Sequence, residues 1–317
     1  MKLVIYPALD EASVTELERA AAEIGGEIEV IHATDEAEAR RAIADADAFY
    51  GNLTPDLLAH APKLRWVQAP VAGLENYLFP ALVESDVTLT NMSGIYSDQI
   101  ADQALAYILM FARGLHIYLR RQLAHQWQAG VPVVHLADQT LGVVGLGGIG
   151  TEVAKRGAAL GMKVIAVEAR RRPPLPFVHA LWPPERLDDL LAAADFLVLC
   201  VPHTPETVKL IRRAQLRRMK PTAYLINISR GIVVDLADLT AALQAGEIAG
   251  AGLDVFEIEP LPADHPLWDM ENVIITPHMA AASPHVAPRR LGVVKENLRR
   301  FAKGEPLHNV VDKRRWF

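Results

Sequence analysis

Between Thr140 and Glu168 the chain reads TLGVVGLGGIG, then a helix-forming stretch, then GMKVIAVE. Residues 140–144 have the apolar, β-branched composition of a strand buried on both faces, as in parallel sheets. They lead into Gly145, Gly147 and Gly150 at G-x-G-x-x-G spacing, with Gly148 and Ile149 inside the turn. Residues 151–160 have helical composition, residues 163–167 read as a second apolar strand, and Glu168 follows. Each part has a physical use at a dinucleotide. Gly145 permits a tight turn, Gly147 lets backbone approach a pyrophosphate, and Gly150 lets the helix press on the strand. The helix N-terminus offers N–H groups and the positive end of a dipole to phosphate. A carboxylate at Glu168 can accept the ribose hydroxyls. The glycine spacing alone is weak evidence, but all five parts in register point to a dinucleotide-binding unit.

A chain of 317 residues suits two domains. With 51% hydrophobic and 22% charged residues it is globular, and its net charge of −6 gives no footprint for nucleic acid. No apolar run approaches the roughly 20 residues of a membrane span. The opening MKLVIYPALD lacks the apolar core and cleavage site of a signal peptide. The single cysteine, Cys200, excludes an internal disulfide and reads as a core side chain, so a cytoplasmic protein is expected.

Residues 1–98 alternate strand-like runs (3–6, 28–31, 48–50, 65–68, 87–90) with helical stretches (13–24, 37–44), which predicts a second, smaller parallel sheet. It carries no glycine fingerprint. The turn Pro70-Val71-Ala72-Gly73 either aims N–H groups at an anion or is a plain turn. Residues 98–119 are apolar nearly all round and predict one buried or domain-bridging helix. Residues 120–137 form an arm onto a second subunit or a surface connection. The Arg- and Pro-rich stretch 169–187 predicts an irregular loop. The strand-like runs 195–201, 224–228, 251–255 and 273–276 follow, and residues 293–301 read as a closing helix. The expected domains are 1–98 with 285–317, for substrate, and 99–284, for dinucleotide.

Three of the later strands deliver polar residues just beyond their C-terminal ends, where open α/β sheets bind ligands. Arg230, Glu259 and His278 come from separate strands. Arg230 can supply a planar fork for a carboxylate. Histidine, with an ordinary pKa near 6.5, suits His278 to protonate an alkoxide as hydride arrives at a 2-keto acid. Glu259 can hold the imidazole and fix its tautomer. Singly each is more often bland: a surface ion pair, a turn residue, a structural histidine. Together beside a nucleotide fold they form a set.

GLGGIG, NISRGIVVD (227–235), AGLDVFEIEPLP (251–262) and ITPH (275–278) resemble the D-isomer-specific 2-hydroxyacid dehydrogenases, and the resemblance covers nearly the whole chain. It implies two Rossmann-like or flavodoxin-like α/β domains with parallel sheets, the nucleotide domain inserted into the substrate domain. It implies Arg230 as the substrate-binding arginine, Glu259 as partner carboxylate and His278 as acid–base. Cofactor contacts are expected at Gly145, Gly147, Gly148, Ile149, Gly150, Glu168, Arg170, Pro202, Thr207 and Asp254, the last at the nicotinamide. The Val71-Ala72-Gly73 turn would receive the substrate carboxylate. No metal is implied, and a homodimer is, with residues 120–137 at its interface.

Asp102-Gln103 stands where the family often has Glu-His. No Lys or Arg lies between Arg65 and Arg113, which disfavours a phosphorylated substrate and favours a small or apolar 2-keto acid such as glyoxylate or hydroxypyruvate. The cofactor is an open choice. Glu168 should repel a 2′-phosphate, favouring NAD, whereas Arg170, Arg171 and Arg172 could embrace one, favouring NADP; the balance leans to NAD. Two other readings share the fold. Formate oxidation is disfavoured by Glu259, where the formate enzymes carry Gln. An NAD(H)-sensing, corepressor-like binding protein keeps the same motifs, and is disfavoured by the absence of a long polar tail.

Overall fold

The computed structural model describes residues 1–25 and 27–316. They divide into two units, Met1–Ile95 with Pro284–Phe317, and Tyr96–Ser283.

The first unit starts with β1 (Lys2–Tyr6), α1 (Glu11–Ile24), β2 (Glu29–His32), α2 (Glu36–Ile43), β3 (Ala48–Gly51) and α3 (Pro55–Ala59), then β4 (Trp66–Gln68), α4 (Pro80–Glu84) and β5 (Thr88–Thr90). The strands form one parallel sheet in the order β2-β1-β3-β4-β5. Asp10, Asp35 and Thr54 start α1, α2 and α3 by accepting the backbone N–H groups of Ser13, Glu38 and Leu57. The short helices α3 and α4, each with proline in its first turn, were not foreseen from periodicity because five residues are too few to show one.

One edge of this sheet holds a titratable group with a cost. Neither ring nitrogen of His32 has a hydrogen-bond partner among the described residues, and both are buried. Burial therefore lowers its pKa from 6.5, opposed by the charge of Glu18. The fold holds His32 neutral while the unfolded chain takes up a proton, so its contribution is full above pH 6.5 and is lost as pH falls below. His32→Leu should lose less melting temperature than the parent between pH 7.5 and 5. Parallel pH curves for the two proteins would refute this.

The second unit runs α5 (Ser97–Ala112), α6 (Leu115–Leu123), β6 (Thr140–Val144), α7 (Gly148–Ala159), β7 (Lys163–Val167), β8 (Ala180–Trp182), α8 (Leu187–Ala193) and β9 (Phe196–Leu199). It continues through α9 (Arg213–Leu216), β10 (Tyr224–Asn227), α10 (Leu236–Gln244), β11 (Gly250–Leu253) and β12 (Val273–Ile275). Its seven strands are all parallel, in the order β12-β11-β10-β9-β6-β7-β8. Strand order reverses between β6 and β9, which is where such sheets open a ligand crevice. The core is aliphatic, with Leu141, Val143, Leu197, Leu225 and Ala251 fully buried.

Two expectations are corrected here. The single helix over 98–119 is two, because Gly114 adopts a left-handed φ of 65° and turns the chain between α5 and α6. The stretch 169–187 is not wholly irregular. Its segment Ala180–Trp182 pairs with β7 as the sheet's edge, where three residues show no period of their own. Beyond α6 the segment from Ala124 to His135 has no regular structure; Leu123, at the end of α6, and Trp127, within the segment, are both strongly exposed. No helix is long and apolar enough to cross a membrane among the described residues.

The chain returns to the first unit as α11 (Val286–Lys303), longer than the expected 293–301. A buried polar chain docks it. Asn297 donates to Gln68 Oε1 at 2.9 Å, and Gln68 also accepts from the Thr90 hydroxyl at 2.8 Å. The Trp66 and Phe301 rings pack beside this chain at 5.2 Å.

Candidate active site

The glycine turn has the shape a dinucleotide requires. A Cβ on Gly150 would lie 1.9 Å from the Gly145 carbonyl oxygen, so only glycine lets α7 begin this close to β6. A Cβ on Gly147 would meet nothing within 4 Å, so its outer face is open to an approaching group. Gly147 is also the N-cap of α7 and brings no side chain to cap it, which leaves the helix end to a ligand. The residues present therefore fit a pyrophosphate.

Glu168 lies beyond β7 as expected, and its carboxylate joins the glycine turn to its own loop. One oxygen accepts the Leu146 N–H at 2.7 Å and the other the Arg170 N–H at 2.9 Å, and the side chain is only 8% exposed. Arg172 also folds inward, donating to the Leu146 carbonyl and the Thr151 hydroxyl. Arg170 and Arg171 remain at the surface.

Beyond β10, β11 and β12 the three expected chemical residues appear. Arg230 precedes a 3₁₀ turn, Gly231–Val233, and donates to the Ser229 carbonyl at 2.8 Å. A Cβ on Gly231 would lie 1.8 Å from the Phe256 carbonyl carbon, so this glycine lets the Arg230 turn press against the segment leading to Glu259. Glu259 accepts the Phe256 N–H through Oε1 at 2.9 Å and faces His278 Nδ1 through Oε2 at 2.7 Å. That partner assigns the Nδ1 proton and leaves Nε2 as the nitrogen able to exchange one. Both side chains are at least a third exposed, so the pair contributes at most about 1 kcal/mol to stability. It orients an imidazole.

The description "D-isomer specific 2-hydroxyacid dehydrogenase, NAD binding domain" matches residues 105–280, more than half the chain. The chain belongs to the D-isomer-specific 2-hydroxyacid dehydrogenase family. It is 39% identical over 280 residues to the glyoxylate reductase of Korarchaeum cryptofilum, covering 85% of this chain and 84% of the relative. Its fold matches the D-isomer specific 2-hydroxyacid dehydrogenase of Xanthobacter autotrophicus Py2 in complex with NADPH and MES, with a TM-score of 0.85, 31% identity, and coverage of 100% and 99%. It also matches the NADPH-dependent glyoxylate/hydroxypyruvate reductase of Sinorhizobium meliloti in complex with NADP and sulfate, at TM-score 0.84, 30% identity, and coverage of 100% and 99%. The protein is thus an NAD(P)-dependent 2-hydroxyacid dehydrogenase.

The remaining expected residues of this dehydrogenase fall in three places. Pro202 and Thr207 are drawn into one turn beyond β9, where the Thr207 hydroxyl donates to the Pro202 carbonyl at 2.7 Å and accepts the Thr204 N–H at 2.8 Å. Asp254 is 1% exposed, and its carboxylate accepts from the Thr276 hydroxyl and from the N–H groups of Met279 and Ala280, both at 2.9 Å. Val71, Ala72 and Gly73 belong to the other unit, beyond β4, where Asn91 donates to the Ala72 carbonyl at 2.9 Å and Met92 N–H to that of Val71 at 3.0 Å. The Thr276 hydroxyl also meets the hydroxyl of Tyr107 on α5, and neither residue's place beside Asp254 was foreseen. Thr276 sits two residues before His278 and gave a weak signal; Tyr107 gave none, because an aromatic residue in an apolar helix reads as core.

Proposed function

We propose that this dehydrogenase reduces a small 2-keto acid, of the glyoxylate or hydroxypyruvate class, with His278 as acid–base, Glu259 orienting it and Arg230 binding the substrate carboxylate. The 2.7 Å approach of His278 Nδ1 to Glu259 carries the reading, because it supplies an oriented proton donor beyond the strand ends. A bound nicotinamide would supply hydride to the keto carbon. His278 gives its Nε2 proton to the carbonyl oxygen as negative charge develops there, and Glu259 stabilises the ring while its charge changes. Arg230 fixes the carboxylate and thereby orients the ketone. The substrate class is supported by the names of the relatives and by the lack of cations between Arg65 and Arg113.

The cofactor preference goes to NADPH on this reading. Glu168 accepts the Leu146 N–H of the glycine turn and the Arg170 N–H, while the surface guanidinium groups of Arg170 and Arg171 suit a 2′-phosphate. Oxidation of NADH and NADPH against glyoxylate, hydroxypyruvate, pyruvate, phenylpyruvate and oxaloacetate, with His278→Ala as control, is the test. Turnover of the first two, faster with NADPH and lost in the variant, is the expected result. Equal or better efficiency with NADH would refute the preference. Silence with every acid while cofactor binds would favour the cofactor-sensing reading instead.

A homodimer is also part of this reading, supported by the exposed Leu119, Leu123, Trp127 and Val133 on one stretch of chain. Sedimentation at the mass of a single chain would exclude it.

A further inference from the structure

The loop that carries His278 is held in an uncommon shape by one residue. His278 has φ of 50°, in the left-handed region that a residue with a Cβ seldom occupies. Three successive N–H groups of this loop all go to Asp254. Its main-chain carbonyl accepts His278 N–H at 2.7 Å, Oδ1 accepts Met279 N–H and Oδ2 accepts Ala280 N–H, both at 2.9 Å. With both oxygens so engaged, the carboxylate serves as the anchor of the histidine loop.

A hydroxyl chain fixes that anchor in turn. The Thr276 hydroxyl donates to Asp254 Oδ1, so the bond between Thr276 and Tyr107 runs with the Tyr107 hydroxyl as donor. Tyr107 lies on α5, is 1% exposed, and bonds the Gln103 side chain one turn earlier. Burial pushes its pKa up to about 12, so it remains a proton donor throughout the working range. The ring itself is wedged, for a Cβ on Gly252 of β11 would lie 2.8 Å from it. The hydroxyl therefore has little freedom to leave Thr276.

We propose that Tyr107 is a positioning residue for the reaction: through Thr276 and Asp254 it sets the left-handed conformation of His278 and so the aim of the imidazole. The proposal rests on His278 being the acid–base. It names a buried group on a helix whose loss should slow chemistry without weakening binding. Loosening the loop lets the imidazole leave the geometry needed for proton delivery, where small displacements are costly.

Tyr107→Phe keeps the ring and deletes only the hydroxyl. Its kcat should fall about tenfold, with KM for the keto acid and the dissociation constant of NADPH within about twofold of the parent. The solvent deuterium isotope effect on kcat should rise, because proton transfer becomes limiting; a packing role alone would not move it. Thr276→Val should show the same losses, Thr276→Ser should restore turnover, and the double variant Tyr107→Phe/Thr276→Val should be no worse than either single one, as members of one chain. Parent-like kcat and isotope effect in folded Tyr107→Phe, or full additivity in the double variant, would overturn the proposal. Should Tyr107→Phe fail to fold, the Thr276→Val and Thr276→Ser pair decides on the same readouts. His278→Ala measured alongside separates the two readings. Turnover that survives in it refutes the acid–base assignment, whereas an inert His278→Ala with a parent-like Tyr107→Phe refutes only the positioning role.

Discussion

His278→Ala is expected to lower kcat for keto-acid reduction about 10³-fold, within the range that a positioned general acid contributes. The dinucleotide should still bind with near-parent affinity, since the glycine turn and α7 follow β6, whereas His278 follows β12. Glu259→Gln should fall between the two proteins. Glutamine keeps the hydrogen bond to Nδ1 but removes the charge that favours an imidazolium, so a loss of about 10²-fold is expected. The ordering is informative because the Glu259–His278 pair, both side chains at least a third exposed, contributes at most about 1 kcal/mol to stability. Melting temperatures for both variants should therefore stay close to the parent's. The acid–base assignment fails if stopped-flow turnover of His278→Ala remains within tenfold of the parent, or if Glu259→Gln is the more damaging change.

Arg230→Ala should reduce kcat/KM about 10³-fold, because the substrate carboxylate loses a charged, hydrogen-bonded partner in a partly desolvated site. Arg230→Lys keeps the charge and loses the planar fork, so it should recover only part of the loss. The deciding comparison is a substrate without the carboxylate. A simple ketone or aldehyde reduced slowly by the parent should be slowed little further by Arg230→Ala, since the missing pair is absent from both reactions. An equal loss on both substrates would instead place Arg230 in support of the fold around Ser229 and Gly231, where its own bond to the Ser229 carbonyl lies.

Much of this arrangement is written locally. The runs 140–144 and 163–167 read as strands because β-branched and aliphatic residues buried on both faces leave no polar alternative, and the structure has strands at these positions. Gly150 was legible because a helix starting this close to a strand excludes every Cβ. His278, Glu259 and Arg230 were found by their place after apolar runs, and the His278–Glu259 contact follows from neighbouring strands ending side by side. Elements shorter than one period were missed. The edge strand Ala180–Trp182 gains its hydrogen bonds from β7 and carries no pattern of its own.

The sequence by itself determined the α/β class, the glycine turn and the residue types available beyond the strands, because each depends on composition within a dozen neighbouring residues. Only the tertiary structure decided which partner each polar group takes. Glu168 accepts Leu146 N–H across 22 residues, which ties its carboxylate to the glycine turn. Tyr107 meets Thr276 across 169 residues, and Asp254 gathers the N–H groups of 278, 279 and 280. Several donors and acceptors compete for every such group, and local sequence does not rank them. Burial does, because a polar group removed from water must take whichever partner the packed strands bring within reach.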